Sequence, residues 1–318
     1  MKGRHRVVVT GIGLTTPIGH DLVHVCTSLR TGHHGIRIIE DWGRIAELRP
    51  RLGGAVTELD VDRRYPRKKV RTMGRVGRLA TYACEQAIAQ AGLEPALLQS
   101  GRVGIAYGST SGSSQALEDF TGKLFQSYEL KGLSATSFLK FMSHTCAANL
   151  AQFFGLRGRV IPTSSACTSG SQAIGYGYEA IADGRQEIMI CGGAEELHAV
   201  TATIFDLFGA TSNGFNTRPE ASPRPFDRDR DGLVIGEGAA SLVLERRDQA
   251  LARGAQILGE VIGFGTNCDG SHITAPSQSG MRAAMALALD DAGLHAGDVD
   301  YISAHGTATL LGDVAESL

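Results

Sequence analysis

Two side chains of this 318-residue sequence could together carry out covalent catalysis, Cys167 and His305. Cys167 follows the β-like run IPTSS and precedes TSGSQAIGYGYEAIADG, which has the pattern of a helix. The unpaired N–H groups and positive dipole end of a helix's first turn lower the pKa of a thiol there and favour the thiolate. The sequence therefore predicts a nucleophile, with a buried cysteine acting as a small apolar side chain as the alternative.

His305 lies in YISAHGTAT, at the predicted end of another strand. The carboxyl ends of strands line the functional crevice of parallel α/β sheets, so both side chains are expected at such ends. A cysteine with a distant histidine is the pair expected for covalent catalysis. Taken alone, His305 is also typical of a hydrogen-bonded core residue.

The helix predicted after Cys167 carries small side chains over several turns. Such a helix lets another backbone approach closely, which favours either a dimer interface or a covered pocket around the nucleophile. The small residues are Ser169, Gly170, Ser171, Ala173, Gly175 and Gly177.

The elements that must position these residues alternate along the chain. Apolar runs bounded by glycine predict strands at HRVVVTGIG, RVGIAYGS, VIPTSS, EIMICGG and ASLVLE. Between the first two, GRLATYACEQAIAQAGL predicts a helix with Leu79, Ala83, Ala87 and Ile88 near one face and Gly92 at its C-terminal end. This alternation predicts an α/β layered fold.

An internal similarity divides the chain. A small-residue helix, Ala-Gly-Leu, a short link and an apolar strand occur at residues 85–110 and again at residues 285–309. We interpret this as two similar halves, 1–253 and 254–318, although chance recurrence of a common α/β turn is the alternative. The second half stops after its predicted strand, which would leave an open sheet edge, so the chain is expected to be cut short.

Composition excludes several classes of protein. The net charge of -2 does not indicate a nucleic-acid or membrane partner, and no segment resembles a signal peptide or a membrane span. Six cysteines without a CxxC indicate a reduced, cytoplasmic protein without a disulfide framework or zinc site. GIGLTTPIG lacks the third glycine of a dinucleotide loop, and His20 and His24 lack the context of a metal site, so neither a metal nor a cofactor is expected.

Two segments of the sequence are rich in charged residues. The basic run Arg63–Arg75 is either a solvated surface or a docking site for an acidic partner. In PFDRDRDGLVIGEG, ion pairs of four side chains are expected to hold a loop: Asp227, Arg228, Arg230 and Asp231.

With RVVVTGIGLTTPIG, SSACTSGSQAIG, PFDRDRDGLVIGEGA and AHGTAT in this order, essentially the whole chain resembles the β-ketoacyl-acyl carrier protein synthases of the synthase II type. The resemblance implies a thiolase fold: two βαβαβαββ halves in α-β-α-β-α layers, the second incomplete here. It also implies an acyltransferase of fatty acid or polyketide-like synthesis. A malonyl-carrier protein would lose carbon dioxide and condense with an acyl chain to give a 3-oxoacyl-carrier protein.

The resemblance also implies a role for individual residues. Cys167 would hold the acyl chain as a thioester, and its backbone N–H would form half of an oxyanion hole. His305 would stabilise the enolate oxygen formed on decarboxylation. Three further side chains would contact the substrate, since Thr307 and Thr309 match the residues that hold phosphopantetheine and Phe208 matches a gate at the acyl pocket.

The basic surface of Arg67, Lys68 and Lys69 matches the one that meets acyl carrier protein. Phosphopantetheine would arrive on that carrier, without a bound cofactor. The helix after GLSATSFLKFMSHTCAANLAQFF corresponds to the dimer region, in a homodimer or in a heterodimer with a related subunit.

Departures from the family keep alternatives open. Leu310 replaces a proline after HGTAT, and Thr211 and Ser212 stand where a basic residue often follows FGA. The family's second catalytic histidine, a lysine and a glycine-rich oxyanion loop would lie beyond Leu318, so poor decarboxylation is expected of the chain as given. A non-catalytic partner subunit resembling a chain-length factor, or a thiolase, are the alternative functions.

Overall fold

The computed structural model describes residues 3–271 and 276–318. The strands within these ranges begin with β1, which contains VVVTGIGLT, and end with a short strand after residue 258. They are β1 Val7–Thr15, β2 Ile36–Ile38, β3 Leu52–Gly54, β4 Val103–Gly108, β5 Val160–Thr163, β6 Ile188–Glu195, β7 Ile235–Gly236, β8 Gly238–Arg246 and β9 Gly259–Val261.

The α-helices of the described residues range from single turns to α4, which has 17 residues. They are α1 Leu22–Thr31, α2 Val61–Arg64, α3 Arg67–Val70, α4 Arg75–Ala91, α5 Pro95–Leu98, α6 Ser114–Ser127, α7 Phe138–Phe141, α8 Thr145–Phe154, α9 Ser169–Ala182, α10 Ala199–Leu207, α11 Arg247–Ala252, α12 Gln278–Ala292 and α13 Leu310–Ser317. Within the same residues, no helix is long and apolar enough to cross a membrane.

The first of two compact units consists of the chain up to His33, Val56–Glu196 and Glu237–Val261. Its six-stranded sheet has the order β5-β4-β6-β8-β1-β9. Strand β4 pairs in parallel with β5 and β6, whereas β8 is antiparallel to β6 and β1. The carboxyl ends of β4, β5 and β6 therefore meet at one edge of the sheet, where loops are free to form a site.

Helix α4 covers one face of this sheet because its apolar residues repeat at helical spacing. Leu79, Ala83 and Ala87 are fully buried, and Gly92 ends the helix in a left-handed conformation (φ 65°), as predicted. The glycines of β1 make this close packing possible, because a Cβ at Gly13 would overlap the carbonyl oxygen of Ala83. The main core of the unit lies between the sheet and α4 with α8.

Helix α9 covers the opposite face. Residues Ile188 and Ile190 of β6 point into the core under α4, whereas Cys191 lies against Gly177 of α9. This alternation gives three layers, helix–sheet–helix, and the chain passes through them as β1-α4-β4-α8-β5-α9-β6-β8. The βαβαβαββ connectivity expected of the first half is therefore confirmed.

The second compact unit consists of His34–Ala55, Leu197–Gly236 and Ile262–Leu318. Its sheet has three short strands in the order β2-β3-β7. Trp42, Leu48 and Ala202 form its small buried cluster. The predicted boundary between residues 253 and 254 follows the internal similarity and not these units, and it stays a prediction.

One expectation for the second half was wrong. YISAHGTAT forms no strand, since residues 299–309 are irregular and Tyr301 and Ile302 are 81% and 69% exposed. A strand needs a neighbour for its backbone groups, and this segment is paired with no strand of the described residues. The short strand β9 joins the edge of the first sheet beside β1.

The similarity of the halves is nevertheless visible in the packing. A Cβ at Gly11 would overlap the carbonyl oxygen of Ala87 in α4, and one at Gly263 would overlap that of Ala288 in α12. Helix α12 ends at Gly293 with a φ of 65°, as α4 ends at Gly92. The same glycine-to-helix contact and the same helix end therefore occur twice, which supports a duplication over a chance recurrence.

Candidate functional site

Cys167 lies at a sharp turn between β5 and α9, as predicted. Strand β5 ends at Thr163 and α9 begins at Ser169. Ala166, directly before the cysteine, has a φ of 51°, which non-glycine residues rarely adopt. The residue Cys167 is exposed. The turn therefore presents the thiol at the carboxyl edge of the parallel strands.

A cavity of about 450 Å³ opens beside Cys167 within the first unit. Its walls come from the ends of β4, β6 and β8 and from the start of α9. Small residues keep these elements close, since a Cβ at Gly108 would lie 2.7 Å from the backbone of Ser169. Ser169 and Gly170, two of the small residues of α9, line this cavity together with Cys167.

Two acidic residues at the end of β6 were not predicted from the sequence. Glu195 lines the cavity, accepts a hydrogen bond from the N–H of Thr110, and has its pKa raised by burial. Glu196 accepts hydrogen bonds from the Ser113 hydroxyl (2.6 Å) and from the N–H of Gln115 (2.8 Å). Together they fix the loop that follows β4. Carboxylates at a strand's carboxyl end, in GGAEE, were the available signal.

The other cysteines behave as expected of apolar or loop residues. Cys84, Cys146 and Cys191 are buried. Burial raises the pKa of Cys84 to about 12 and raises the pKa values of Cys146 and Cys191 as well. Cys268 is exposed in a loop of the second unit.

Thiol labelling should separate these cysteines. At pH 8 a group of pKa 12 is ionised in about one molecule in 10⁴, so the three buried thiols should resist alkylation until the protein unfolds. Iodoacetamide should modify Cys167 and Cys268 first, as mapped by peptide mass spectrometry. Modification of Cys84 at the rate of Cys268 in the folded protein would contradict the burial described here.

His305 lies in an ordered loop of the second unit, not at the end of a strand. The N–H groups of His305 and Gly306 donate to the carboxylate of Glu316 at 2.6 and 2.8 Å. Glu316 belongs to α13, so the helix fixes the backbone that carries the imidazole. Cys167 lies in the other unit.

Asp313 of α13 is the centre of the same loop region. Its carboxylate is 2% exposed and accepts the N–H groups of Ala308 (2.9 Å) and Phe226 (2.6 Å). Arg230 lies 3.4 Å from it and donates to the carbonyl oxygen of Thr309. Asp313 and Glu316 were not predicted, although two acidic residues within the eight that follow HGTAT were the available signal.

The two threonines of HGTAT, Thr307 and Thr309, stabilise the start of α13. Their hydroxyls lie 2.9 Å apart, and that of Thr309 caps α13 by accepting the N–H of Gly312 at 3.1 Å. Phe208 follows α10 and is 58% exposed. Arg49 holds the end of α10 by donating to the Asp206 carboxylate at 2.9 Å.

The charged residues of PFDRDRDG hold a loop largely as predicted. Asp227 pairs with Arg224 at 2.9 Å, and Arg230 pairs with Asp313. Asp231 differs, because it accepts the N–H groups of Asn213 and Gly214 in place of an ion pair. Arg228 pairs only at the surface, with Asp229, which is adjacent in sequence.

The basic residues Arg67, Lys68 and Lys69 are exposed on the single turn of α3. Lys69 lies 5.4 Å from the centre of the Phe153 ring, which directs its charge across the surface of α8. This part of the basic run is therefore accessible to an acidic partner.

The weaker motifs have structural explanations. GIGLTTPIG begins within β1, and its first glycines pack on α4. His20 contacts the Thr15 hydroxyl (3.0 Å) and the carbonyl oxygen of Thr57 (2.7 Å), and His24 pairs with Asp21. Within the described ranges, no group of three or more potential ligands is placed to hold a metal ion.

Both parts of this chain are similar to the domains of one known protein family. Residues 4–250 match the N-terminal domain of the beta-ketoacyl synthase family, and residues 258–318 match its C-terminal domain. The chain is 39% identical to 3-oxoacyl-[acyl-carrier-protein] synthase 2 of Synechocystis sp., covering 99% of this chain and 76% of that protein.

Two solved structures are similar to this chain in both sequence and fold. A beta-ketoacyl synthase from Burkholderia phymatum is 46% identical with a TM-score of 0.94, covering 98% of this chain and 76% of that one. A type II PKS ketosynthase, solved with its acyl-carrier protein and bound to a hexaketide, is 29% identical with a TM-score of 0.88. That match covers 99% of this chain and 76% of that one.

Proposed function

Because the chain belongs to the beta-ketoacyl synthase family, we propose that it condenses an acyl chain with malonyl-acyl carrier protein. The product is a 3-oxoacyl-acyl carrier protein, as formed in fatty acid and polyketide-like synthesis. The observation that carries this proposal is the position of Cys167, exposed at a strained turn beside a 450 Å³ cavity.

The turn suits the first chemical step. The thiolate of Cys167 attacks the thioester carbonyl of an acylated carrier protein. An S–C bond to Cys167 forms, the C–S bond to the carrier breaks, and the carrier leaves as its phosphopantetheine thiolate. In this proposal the Cys167 N–H is one of the donors that stabilise the oxyanion. A malonyl thioester then loses carbon dioxide, its enolate carbon attacks the acyl-cysteine carbonyl, and the Cys167 thiolate leaves again.

In the second step of this proposal, residues of HGTAT bind the malonyl substrate and stabilise its enolate. The imidazole of His305 donates to the enolate oxygen as charge develops there. The hydroxyls of Thr307 and Thr309 bond the phosphopantetheine arm, and Phe208 gates entry of the acyl chain. The contacts of Asp313 and Glu316 support these roles because they fix the loop before substrate binds.

The direct test uses two steps. Incubation with an acylated carrier protein should add the mass of one acyl group to the peptide that contains Cys167. Addition of malonyl-acyl carrier protein should then release one carbon dioxide and form one 3-oxoacyl product per acyl group consumed. Neither a thiolase nor a non-catalytic partner subunit would give both results, and absence of the acyl adduct would overturn the proposal.

We further propose that acyl carrier protein docks on the surface formed by Arg67, Lys68 and Lys69. The carrier-bound structure matched by this chain concerns a related ketosynthase, and the exposed charges of α3 support the same kind of partner here. Substrates then arrive on phosphopantetheine, so the protein itself needs no bound cofactor. The six cysteines fit a reducing, cytoplasmic setting.

Reversing one of these charges should weaken docking. Lys68→Glu should raise the KM for acyl-carrier protein about fivefold with little change in kcat, because carrier association depends on charge complementarity. The effect should shrink at high salt. Arg44→Glu, at another exposed basic residue, is the control. Equal effects of the two variants would exclude a specific docking surface.

We also propose that the partner at α6 and α7 is a second copy of this chain, although a related subunit would use the same surface. Exposed apolar side chains cluster there, and β5 is an edge strand of the sheet. The cluster consists of Leu117, Phe125, Tyr128, Leu130, Phe138 and Met142.

Sedimentation should detect this dimer. The double variant Phe125→Asp and Leu130→Asp should weaken self-association at least about 100-fold, because each buried apolar side chain contributes about 1.5 kcal/mol or more. Leu29→Asp, on the exposed face of α1, should leave the dimer intact. A monomeric wild-type protein at micromolar concentration would contradict the homodimer.

A further inference from the structure

The backbone before Cys167 needs an external restraint. Ala166 has a φ of 51°, and its Cβ makes this left-handed conformation less stable than the ordinary helical one. Such a conformation persists only where surrounding contacts determine it. The orientation of the next residue, Cys167, depends on that backbone, so the contacts that hold Ala166 also place the thiol.

Ser169 supplies these contacts from the first residue of α9. Its hydroxyl donates to the carbonyl oxygen of Ala166 at 2.7 Å and accepts the N–H of Ser165 at 2.9 Å. Its own backbone N–H donates to the same Ala166 oxygen at 3.0 Å. One side chain therefore bonds to both residues that precede the cysteine and closes the turn around it.

Ser169 is itself fixed. It is 4% exposed, and its carbonyl oxygen accepts the Thr163 hydroxyl at 2.8 Å, which ties it to the end of β5. The turn also has a second support, since the Thr168 hydroxyl donates to the carbonyl oxygen of Ser165 at 2.8 Å. That second support does not contact the Ala166 carbonyl, so it cannot replace the hydroxyl of Ser169.

We propose that Ser169 is a positioning residue for the reaction: its hydroxyl holds the Ala166 turn and thereby aims the Cys167 thiol at the cavity. This inference rests on the proposed role of Cys167 as the acyl acceptor. Ser169 touches no reacting atom in this role. It acts through the backbone, by keeping the sulfur beside the N–H groups at the start of α9.

Ser169→Ala tests the proposal, because it removes the hydroxyl and little else. The pH dependence of iodoacetamide alkylation at Cys167 should move its midpoint up by about half a unit, as the thiolate loses its fixed place beside the helix. The kcat/KM for acyl transfer should fall about tenfold, mainly through kcat. Ser171→Ala is the control, since its exposed hydroxyl bonds only the Thr168 carbonyl oxygen among the described contacts.

Thermal unfolding separates positioning from a general loss of structure. A shifted midpoint with a nearly unchanged Tm supports the proposal, whereas a lowered Tm without a midpoint shift overturns it. Unchanged alkylation and kcat/KM also overturn it. Alkylation needs no condensing activity, so a wild-type protein that forms no 3-oxoacyl product would refute the proposed function while the alkylation comparison still decides the role of Ser169.

Discussion

Cys167→Ala should abolish the acyl-enzyme and lower condensation by about 10⁴-fold or more, the scale seen when an enzyme loses its nucleophile. The alanine removes the sulfur that receives the acyl group, and the turn that exposes this position has no second thiol on it. Intact-mass measurement after incubation with an acylated carrier protein detects the acyl adduct on the enzyme directly. Product formation from malonyl- and acyl-carrier protein gives the rate.

Cys268→Ala is the matched control for this experiment, because Cys268 is also exposed but lies in a loop of the other unit. It should keep both the adduct and the rate. An acyl adduct that persists in Cys167→Ala and disappears in Cys268→Ala would place the nucleophile elsewhere.

Asp313→Ala should disconnect the two loops that meet at α13 in the second unit. The change leaves the N–H groups of Ala308 and Phe226 without their acceptor and leaves the mostly buried Arg230 without its carboxylate. Breaking a buried pair of this kind costs about 3–5 kcal/mol. We expect a lower free energy of unfolding and faster amide exchange over 305–310, measured by urea titration and hydrogen exchange.

Asp229→Ala is the comparison from the same charged segment. Among the contacts of the described residues, Asp229 pairs only with the exposed Arg228, so its loss should change stability by less than about 0.5 kcal/mol. Condensation should fall at least about 100-fold in Asp313→Ala, because His305 and the threonines lose their fixed backbone. Normal activity in that variant would show that the loop needs no such support.

Local patterns carried most of the correct predictions. The turn at Cys167 was predictable because a β-branched run, a short polar link and a small-residue helix are neighbours in sequence. The long helix α4 was predictable because its buried face repeats at helical spacing and Gly92 ends it. The duplication could be inferred because both copies keep the same helix ending.

Contacts between distant segments were not predictable from one sequence. The acidic residues after HGTAT are visible in the sequence, but their partners are not: Glu316 takes two backbone N–H groups and Asp313 bonds to Phe226. YISAHGTAT has the composition of a strand, but a strand is defined by its neighbour and this segment has none among the described residues. Ser169 was counted as a small helix residue, and only the structure shows which backbone atoms its hydroxyl reaches.

The position of β1 in its sheet has a consequence for synthesis of the chain. Strand β1 leaves the ribosome well before its sheet partners β8 and β9, which begin at residues 238 and 259. At about 5–20 residues per second, β1 waits roughly 10–45 s for a partner. The helix α4 arrives sooner and can cover one face, but both edges of the strand stay open. Translation speed and the chaperones that bind nascent apolar segments should therefore govern the yield of folded protein more than its final stability does.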